Sequence, residues 1–310
     1  MQKKAPADIR GVKNERHAMY ELTKAGERTY YINSPARMGI YVLDGRDVCL
    51  IDSGNDRDAG KKVLKILEAN NWPLRMIFNT HSHADHIGGN EFLQQKTGCR
   101  IYAPGIEQAF VQNPILEPSL LYGGCPPREL NNKFLLAQSS QAQELTENVL
   151  PEGMEMLRLD GHSMAMAAFK TGDGVWFLAD GLTGENILNK YHITYLYDVE
   201  GYLESLNVIG SLEGRLFVPA HAEACESIRA LAARNTEKVQ EIIALLKHAC
   251  QDPVGFDNLL KAVFDHYGLH MDFSQYVLAG STIRSYLSYL HGKGELDAAF
   301  ADNMLKWHAV

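Results

Sequence analysis

His81-Ser82-His83-Ala84-Asp85-His86 decides how the rest of the chain is read. It follows at once on Arg75–Asn79 (RMIFN), an apolar run of strand length. A buried strand therefore stops where three histidines and a carboxylate begin. Two histidines at i and i+2 on an irregular turn can aim their nitrogens at one cation. Asp85 and His86 come next, at the start of a helix, and can reach a second cation. Imidazole nitrogen with carboxylate oxygen is a donor set that suits zinc, and iron or manganese also accept it. With 12 histidines in 310 residues, an H-x-H-x-D-H string arises by chance about once in a thousand such chains. The bland alternative, a solvated polar loop, does not explain that density of donors.

The flanking sequence supplies strands and helices around this point. Arg28–Asn33 and Met38–Leu43 are rich in strand-forming residues, and Asp44-Gly45 is a hairpin signal. Asp47–Asp52 (DVCLID) reads as a strand ending at Ser53-Gly54. Ala59, Val63, Ile66 and Leu67 recur at helical spacing within Asp56–Asn70. A helix over Phe92–Lys96 and a strand over Arg100–Ala103 follow the motif. Residues 105–153 break this rhythm with NPILEPSLLYGGCPPREL (113–130) and read as a helical insertion. Strands resume at Glu155–Leu159, Ala165–Lys170 and Val175–Ala179. Then come a helix at Val199–Ser211 and a strand at Leu216–Pro219. Three of these strand ends carry a polar residue: His162 in LDGHS, Asp180 in LADGL and His221 in PAHAE. Each alone would pass as structural. Beside the first motif, together they complete two metal sites.

The chain at this point resembles the metallo-β-lactamase fold superfamily, over roughly residues 28–225. HSHADH matches its H-x-H-x-D-H signature. Asp52 at the end of LID, the Gly-His of DGHS, the aspartate of LADGL and the histidine of PAHAE fall in the family's order. HSHADHIGGN is most similar to glyoxalase II and its neighbours. The resemblance implies an αββα sandwich, and two divalent metal ions per chain. His81, His83 and His162 would hold one metal, and Asp85, His86 and His221 the other. Asp180 would bridge them, and Asp52 would orient the loop or a ligand histidine. One departure stands out. After His162 the chain reads SMAM, where relatives often carry a glycine.

The implied chemistry is hydrolysis. Two cations held there would supply an activated water for attack on a carbonyl or phosphoryl centre. Asp85 and Asp180 are the catalytic carboxylates in this reading. A thioester, ester or lactone is the first substrate class, as for a hydroxyacylglutathione hydrolase-like enzyme. A phosphodiester is the second, since some relatives combine a winged-helix-like unit with nuclease activity. A binding module with a decayed site is disfavoured because all seven ligand candidates are present.

The remaining features bound the partners. A net charge of −8 argues against broad binding to nucleic acid or an anionic membrane. No run approaches a membrane span, and MQKKAPADIR, with no apolar run behind its two lysines, does not read as an export signal. Five scattered cysteines without a C-x-x-C read as buried thiols in a reducing cytoplasm. Tyr191, His192, Tyr195 and Tyr197 are candidates for the pocket mouth, with His192 a poor ligand. The insertion, with its pair Leu120-Leu121, is expected to cover the site; a homodimer contact is the alternative. Residues 1–226 read as the catalytic domain and 227–310 as a small helical, winged-helix-like domain. The latter has helices at Glu237–Ala249, Phe256–Tyr267 and Ser281–His291, a Gly292/Gly294 turn and a wing over Glu295–His308. It holds eight Lys/Arg against nine Asp/Glu, which leaves no supply of phosphate contacts. Its expected role is packing or dimerisation through Tyr286, Tyr289 and Trp307.

Overall fold

The computed structural model describes residues 19–310. The N-terminal stretch MQKKAPADIR lies outside them. The first sheet contains β1 (Glu21–Lys24), β2 (Thr29–Asn33), β3 (Met38–Val42), β4 (Val48–Ile51), β5 (Leu74–Phe78), β6 (Arg100–Ala103) and β7 (Ala142–Glu144), in that order. Pairing is antiparallel from β1 to β4 and parallel from β4 to β7. The parallel strands require crossovers, and helices supply them. They are α1 (Arg57–Ala69), α2 (Ala84–Ile87), α3 (Asn90–Thr97), α4 (Glu107–Gln112) and α5 (Leu116–Tyr122). In α1, Asp56 caps the N-terminus by accepting from the Ala59 amide at 2.9 Å. Ala59, Val63 and Leu67 then fall four apart on the buried face.

The second sheet has the order β11-β10-β9-β8. Its strands are β8 (Glu155–Arg158), β9 (Ala167–Lys170), β10 (Val175–Ala179) and β11 (Leu216–Pro219). Strand β10 shows why the sheet is covered on both faces. Val175 and Phe177 point into the space between the sheets, and Trp176 and Leu178 into the opposite, helix-covered face. Between the sheets, Tyr41, Ile51 and Phe78 meet Ala167, Phe169 and Val218. Outside the first sheet, Ile40, Leu50 and Ile77 pack on Val63, Leu67 and Leu93. Outside the second lie α6 (Glu185–Tyr191), α7 (Val199–Ser211), α8 (Arg229–Ala249), α9 (Phe256–Tyr267) and α10 (Phe273–Gly292). The layers therefore run helix, sheet, sheet, helix, which is the αββα sandwich expected.

A hairpin of β12 (Leu296–Ala301) and β13 (Met304–Ala309) closes the chain. The three helices α8, α9 and α10 precede it. Two of the helices are longer than their periodicity indicated: α8 begins at Arg229, and α10 at Phe273, where Asp272 caps it. Tyr286 lies fully inside the cluster that joins α8, α9 and α10 to the second sheet. It fills the core of this unit instead of offering surface for a partner, because α10 turns that face inward.

The segment 105–153 also differs from a pure insertion. It begins with α4 and α5 but returns to the first sheet as β7, parallel to β6. That strand is three residues long, with two exposed residues at the sheet edge, so it carries no apolar pattern. The cysteine reading is corrected in part. Cys49, Cys99 and Cys250 are buried, but Cys225 is half-buried and Cys125 exposed, because the GGCPP turn projects from the surface. No helix among the described residues is long and apolar enough to cross a membrane.

Asn235 on α8 joins the helical layer to the loop after β10. Its amide oxygen accepts from the Thr183 amide at 2.9 Å and the Tyr202 hydroxyl at 3.2 Å. Its nitrogen donates to the carbonyls of Thr183 at 2.9 Å and Leu231 at 2.8 Å. These four bonds use the whole capacity of the side chain. Asn235→Leu leaves several of these buried partners unpaired and should cost about 3 kcal/mol of unfolding free energy, measured by urea titration. A loss under about 0.5 kcal/mol would mean that α8 is held by apolar packing alone.

Candidate metal centre

All seven sequence-derived donors meet at the ends of strands from both sheets. His81 and His83 lie in the loop after β5, Asp85 and His86 on the single turn of α2. His162 follows β8, Asp180 follows β10 and His221 follows β11. His83 Nδ1 stands 2.9 Å from His81 Nε2 and 3.0 Å from His162 Nε2. On the other side, His221 Nε2 lies 3.1 Å from an Asp85 carboxylate oxygen. Asp180 lies between the two groups. Its Oδ1 is 3.1 Å from His86 Nε2, and its Oδ2 is 3.3 Å from His162 Nε2 and 3.4 Å from His221 Nε2.

The backbone is shaped to bring these groups together. Asp52, at the end of β4, adopts a left-handed φ of 60°. Its carboxylate accepts from the Thr80 amide and hydroxyl, both at 2.8 Å, and meets His86 Nδ1 at 2.7 Å. The ring is thereby turned so that Nε2 faces the cluster. Ala179 also has a positive φ, 48°, at a register shift between β10 and β11, and this aims Asp180 inward. Such strain persists only where the surroundings enforce it. His221 Nδ1 is fixed by the Pro35 carbonyl at 3.0 Å. Gly88 and Gly89 complete the HIGGN stretch because the backbone of Ser53 to Asp56 leaves no room for a Cβ at either position.

Several supporting groups were not visible as such in the sequence. Glu107 on α4 accepts from the Ser82 amide at 3.1 Å, from the Ser82 hydroxyl, and from the Ala165 amide at 3.0 Å. It ties the first motif to the loop that carries His162. In the sequence it is an ordinary acid in the first turn of a helix. Tyr195 packs its ring edge-on to His83 and His162, with centroids 5.1 and 5.8 Å away. Tyr197 lines the same side, whereas Tyr191 is exposed elsewhere, beside Lys190. His192 stacks on Tyr267 at 4.3 Å, outside the cluster.

The electrostatics separate the donors into two kinds. Burial pushes His83 down to about 4 and His162 to about 3. It pushes His81 well below its usual value, helped by the neighbouring imidazoles of His86, His83 and His162. For His86 and His221 burial acts the same way, but Asp180, Asp85 and, for His86, Asp52 outweigh it. His86 is raised well above the usual range and His221 to about 10. Asp85 and Asp180 stay ionised, since the facing imidazolium charges overcome the burial penalty. His86 Nε2 and Asp180 Oδ1 are both buried and face each other at 3.1 Å outside hydrogen-bond geometry, with no other hydrogen-bond partner among the described residues. Donors held by one tetrahedral zinc at about 2.0–2.1 Å stand about 3.3 Å apart. The spacings of 2.9–3.4 Å here fit that arrangement. Three groups of these side chains have donor atoms mutually within 4.8 Å: His81/His83/His162, His81/His86/Asp180 and Asp85/His86/His221. The donor set fits divalent cations.

Comparison with known proteins identifies the family. The sequence profile of the metallo-beta-lactamase superfamily matches residues 39–221. The chain belongs to that superfamily. A hydroxyacylglutathione hydrolase of Methylobacillus flagellatus is 30% identical over 123 residues, 39% of each chain. The chain spans less than half the length of the curated relatives it matches first. A beta-lactamase domain protein from Burkholderia ambifaria has the same fold, with a TM-score of 0.73, 17% identity and 94% of each chain covered. A metallo-beta-lactamase family protein from Thermus thermophilus superposes with a TM-score of 0.70 and 17% identity, over 91% of this chain and 99% of that one.

Asp52 touches only His86 among the seven donors and lies buried beneath it. Asp52→Asn should weaken metal retention roughly 10–100-fold, read by competition with a chromophoric chelator, while His192→Ala should leave it unchanged. Equal effects of the two substitutions would remove the orienting role assigned to Asp52.

Proposed function

We propose that the protein is a dinuclear metal-dependent hydrolase acting on a thioester, ester or lactone carbonyl. One observation carries the reading. The Asp180 carboxylate lies between a three-histidine group and an Asp-His-His group, in reach of both. His81, His83 and His162 would hold one cation, Asp85, His86 and His221 the other, with Asp180 shared. Zinc suits this set best, and iron or manganese are alternatives. Bound there, the cations would supply an activated water and charge stabilisation for a developing oxyanion.

The protein's own groups do the rest. The Asp85 side chain is 36% accessible, so it can accept a hydrogen bond from a water arriving at the open side. The Ser82 hydroxyl is committed to Glu107, so no serine nucleophile is required. Phe110, Leu120 and Leu121, on α4 and α5, form an apolar wall beside His83. That wall suits the uncharged part of an ester or thioester, and the hydroxyacylglutathione hydrolases among the relatives support that class. Protein prepared without chelator and reconstituted with zinc, iron or manganese should contain two metals per chain and hydrolyse at least one thioester, ester or lactone in a panel. Asp180→Ala should lose both metal and activity. One metal or none in every reconstitution would end the dinuclear reading.

A phosphodiesterase or ribonuclease is the second reading, favoured by the three helices and hairpin after residue 227. Charge weighs against it. On α10 the single Arg/Lys side chain, Arg284, lies over the Phe256 ring at 3.8 Å. Lys293 just beyond is paired with Glu200 at 2.6 Å. Sequence-independent binding needs several free cations on one face. Labelled RNA and duplex DNA should therefore bind weakly at physiological salt. Micromolar or tighter affinity with a steep salt slope would promote the nuclease reading over the ester one.

A further inference from the structure

Beside the metal centre the segment 105–153 closes over a void of about 20 Å³. That is room for one water-sized group. His83, Ser82 and Ser163 line it from the strand-end loops, and Glu107, Glu117 and Leu121 from α4 and α5. Two of its polar side chains have no counterpart. Glu117 is 9% exposed, and its carboxyl makes no hydrogen bond or ion pair to a described residue. The Ser163 hydroxyl, next in sequence to His162, is buried and also unpartnered. The other acid in the void, Glu107, is fully engaged with Ser82 and Ala165.

Leaving a buried polar group unpaired costs stability. Nothing in the local packing demands a carboxyl at position 117. Its neighbours on α5 are Pro118, Leu120 and Leu121, and Leu or Met would fill the same space. The burial that isolates Glu117, together with the nearby charges of Asp85 and Glu107, pushes its carboxyl well above the usual range. A carboxyl held in that state can both donate and accept a hydrogen bond, as can the Ser163 hydroxyl. Two such groups facing one water-sized space are complementary to one small polar substituent.

We propose that Glu117 and Ser163 form a recognition subsite for a single hydroxyl or amino substituent next to the substrate's reacting carbonyl. The subsite rests on the hydrolase reading above, because its position beside His83 places the substituent near the reacting group. It adds a selection that the metal ligands cannot provide. An unsubstituted acyl chain leaves both polar groups unpaired in the complex, whereas a hydroxyl or amine satisfies them. Sites of this kind discriminate strongly against analogues that lack the polar group.

The test compares wild type, Glu117→Gln, Glu117→Leu and Ser163→Ala, all loaded with metal, in two assays. Calorimetric binding of acetate, glycolate and glycine measures recognition without turnover. The kcat/KM ratio of hydroxyacetyl over acetyl thioesters measures it during turnover. Direct chelation of glycolate or glycine by the metals is common to all the variants, so the informative quantity is the change in preference on substitution. Wild type should prefer the substituted ligand at least roughly tenfold, and Glu117→Leu should abolish that preference. Glu117→Gln should retain part of it, and Ser163→Ala should reduce it. The glycolate and glycine arms tell hydroxyl from amine recognition. Thermal unfolding supplies an independent readout: Glu117→Leu should raise Tm by roughly 2 °C or more, since it removes an unpaired buried group. A preference unchanged by both substitutions, or a Tm lowered by Glu117→Leu, would overturn the subsite and make Glu117 structural. A binding preference that depends on residue 117 without hydrolysis of any carbonyl substrate would uphold the subsite and remove the ester-hydrolase reading instead.

Discussion

Five imidazoles and two carboxylates converge on a few ångströms, and this convergence constrains everything around it. Such a cluster does not assemble by its own affinity. Three of the imidazoles are crowded against one another with their basicity suppressed by burial. The remaining pair balances two carboxylates, Asp180 largely enclosed and Asp85 on the open side. The facing cross-sheet pair His86 Nε2 and Asp180 Oδ1, 3.1 Å apart, lies outside hydrogen-bond geometry. The scaffold must therefore hold the groups where their own electrostatics do not.

The scaffold does so through the ends of buried strands. A strand packed on both faces cannot slide or rotate without moving its side chains into the wrong layer. Residues just past its end inherit that rigidity while escaping the ladder. Asp52, just past β4, and Ala179, the last residue of β10 beside its register shift, adopt left-handed backbone geometry that strand interiors would not allow. Hydrogen bonds then lock each loop to its neighbour. The Ala167 amide donates to the Thr80 carbonyl at 2.8 Å across the two sheets, and the Ser53 amide to the His86 carbonyl at 2.7 Å. Arg37 clamps the far side through the Ala222 carbonyl and Glu223, which steadies the loop carrying His221.

Much of this was legible in the sequence because strand ends and metal donors leave local marks. An apolar run that stops at HSHADH announces both the element and its chemistry, and LDGHS, LADGL and PAHAE repeat the pattern at lower density. The α10 periodicity was readable only from Ser281 onward, since Gln275, Ser274 and Gly280 dilute it before that point. Strand β7 was invisible: AQE at an exposed edge follows no burial pattern. Glu107 and Glu117 were invisible for a different reason. Their spacing is that of ordinary helix surface acids, and only the docking of α4 and α5 onto the strand-end loops buries them. Tertiary contacts of that kind have no one-dimensional signature.

The division of donors between sheets has a thermodynamic consequence. His81, His83, Asp85 and His86 depend on the first sheet, and His162, Asp180 and His221 on the second. Neither sheet offers all the donors of any of the three groups, because each group takes one of His162, Asp180 and His221 from the second sheet. Any cation bound here therefore binds only when the two sheets are packed through Phe78 and Phe169, whose rings lie 5.7 Å apart beneath the site. A ligand that binds the packed state alone stabilises it by mass action, in proportion to the logarithm of its concentration over its dissociation constant. The buried aromatic contact and the polar cluster above it are thus two readings of one geometric requirement. The apolar core sets the separation of the sheets, and that separation sets the spacing of the donors.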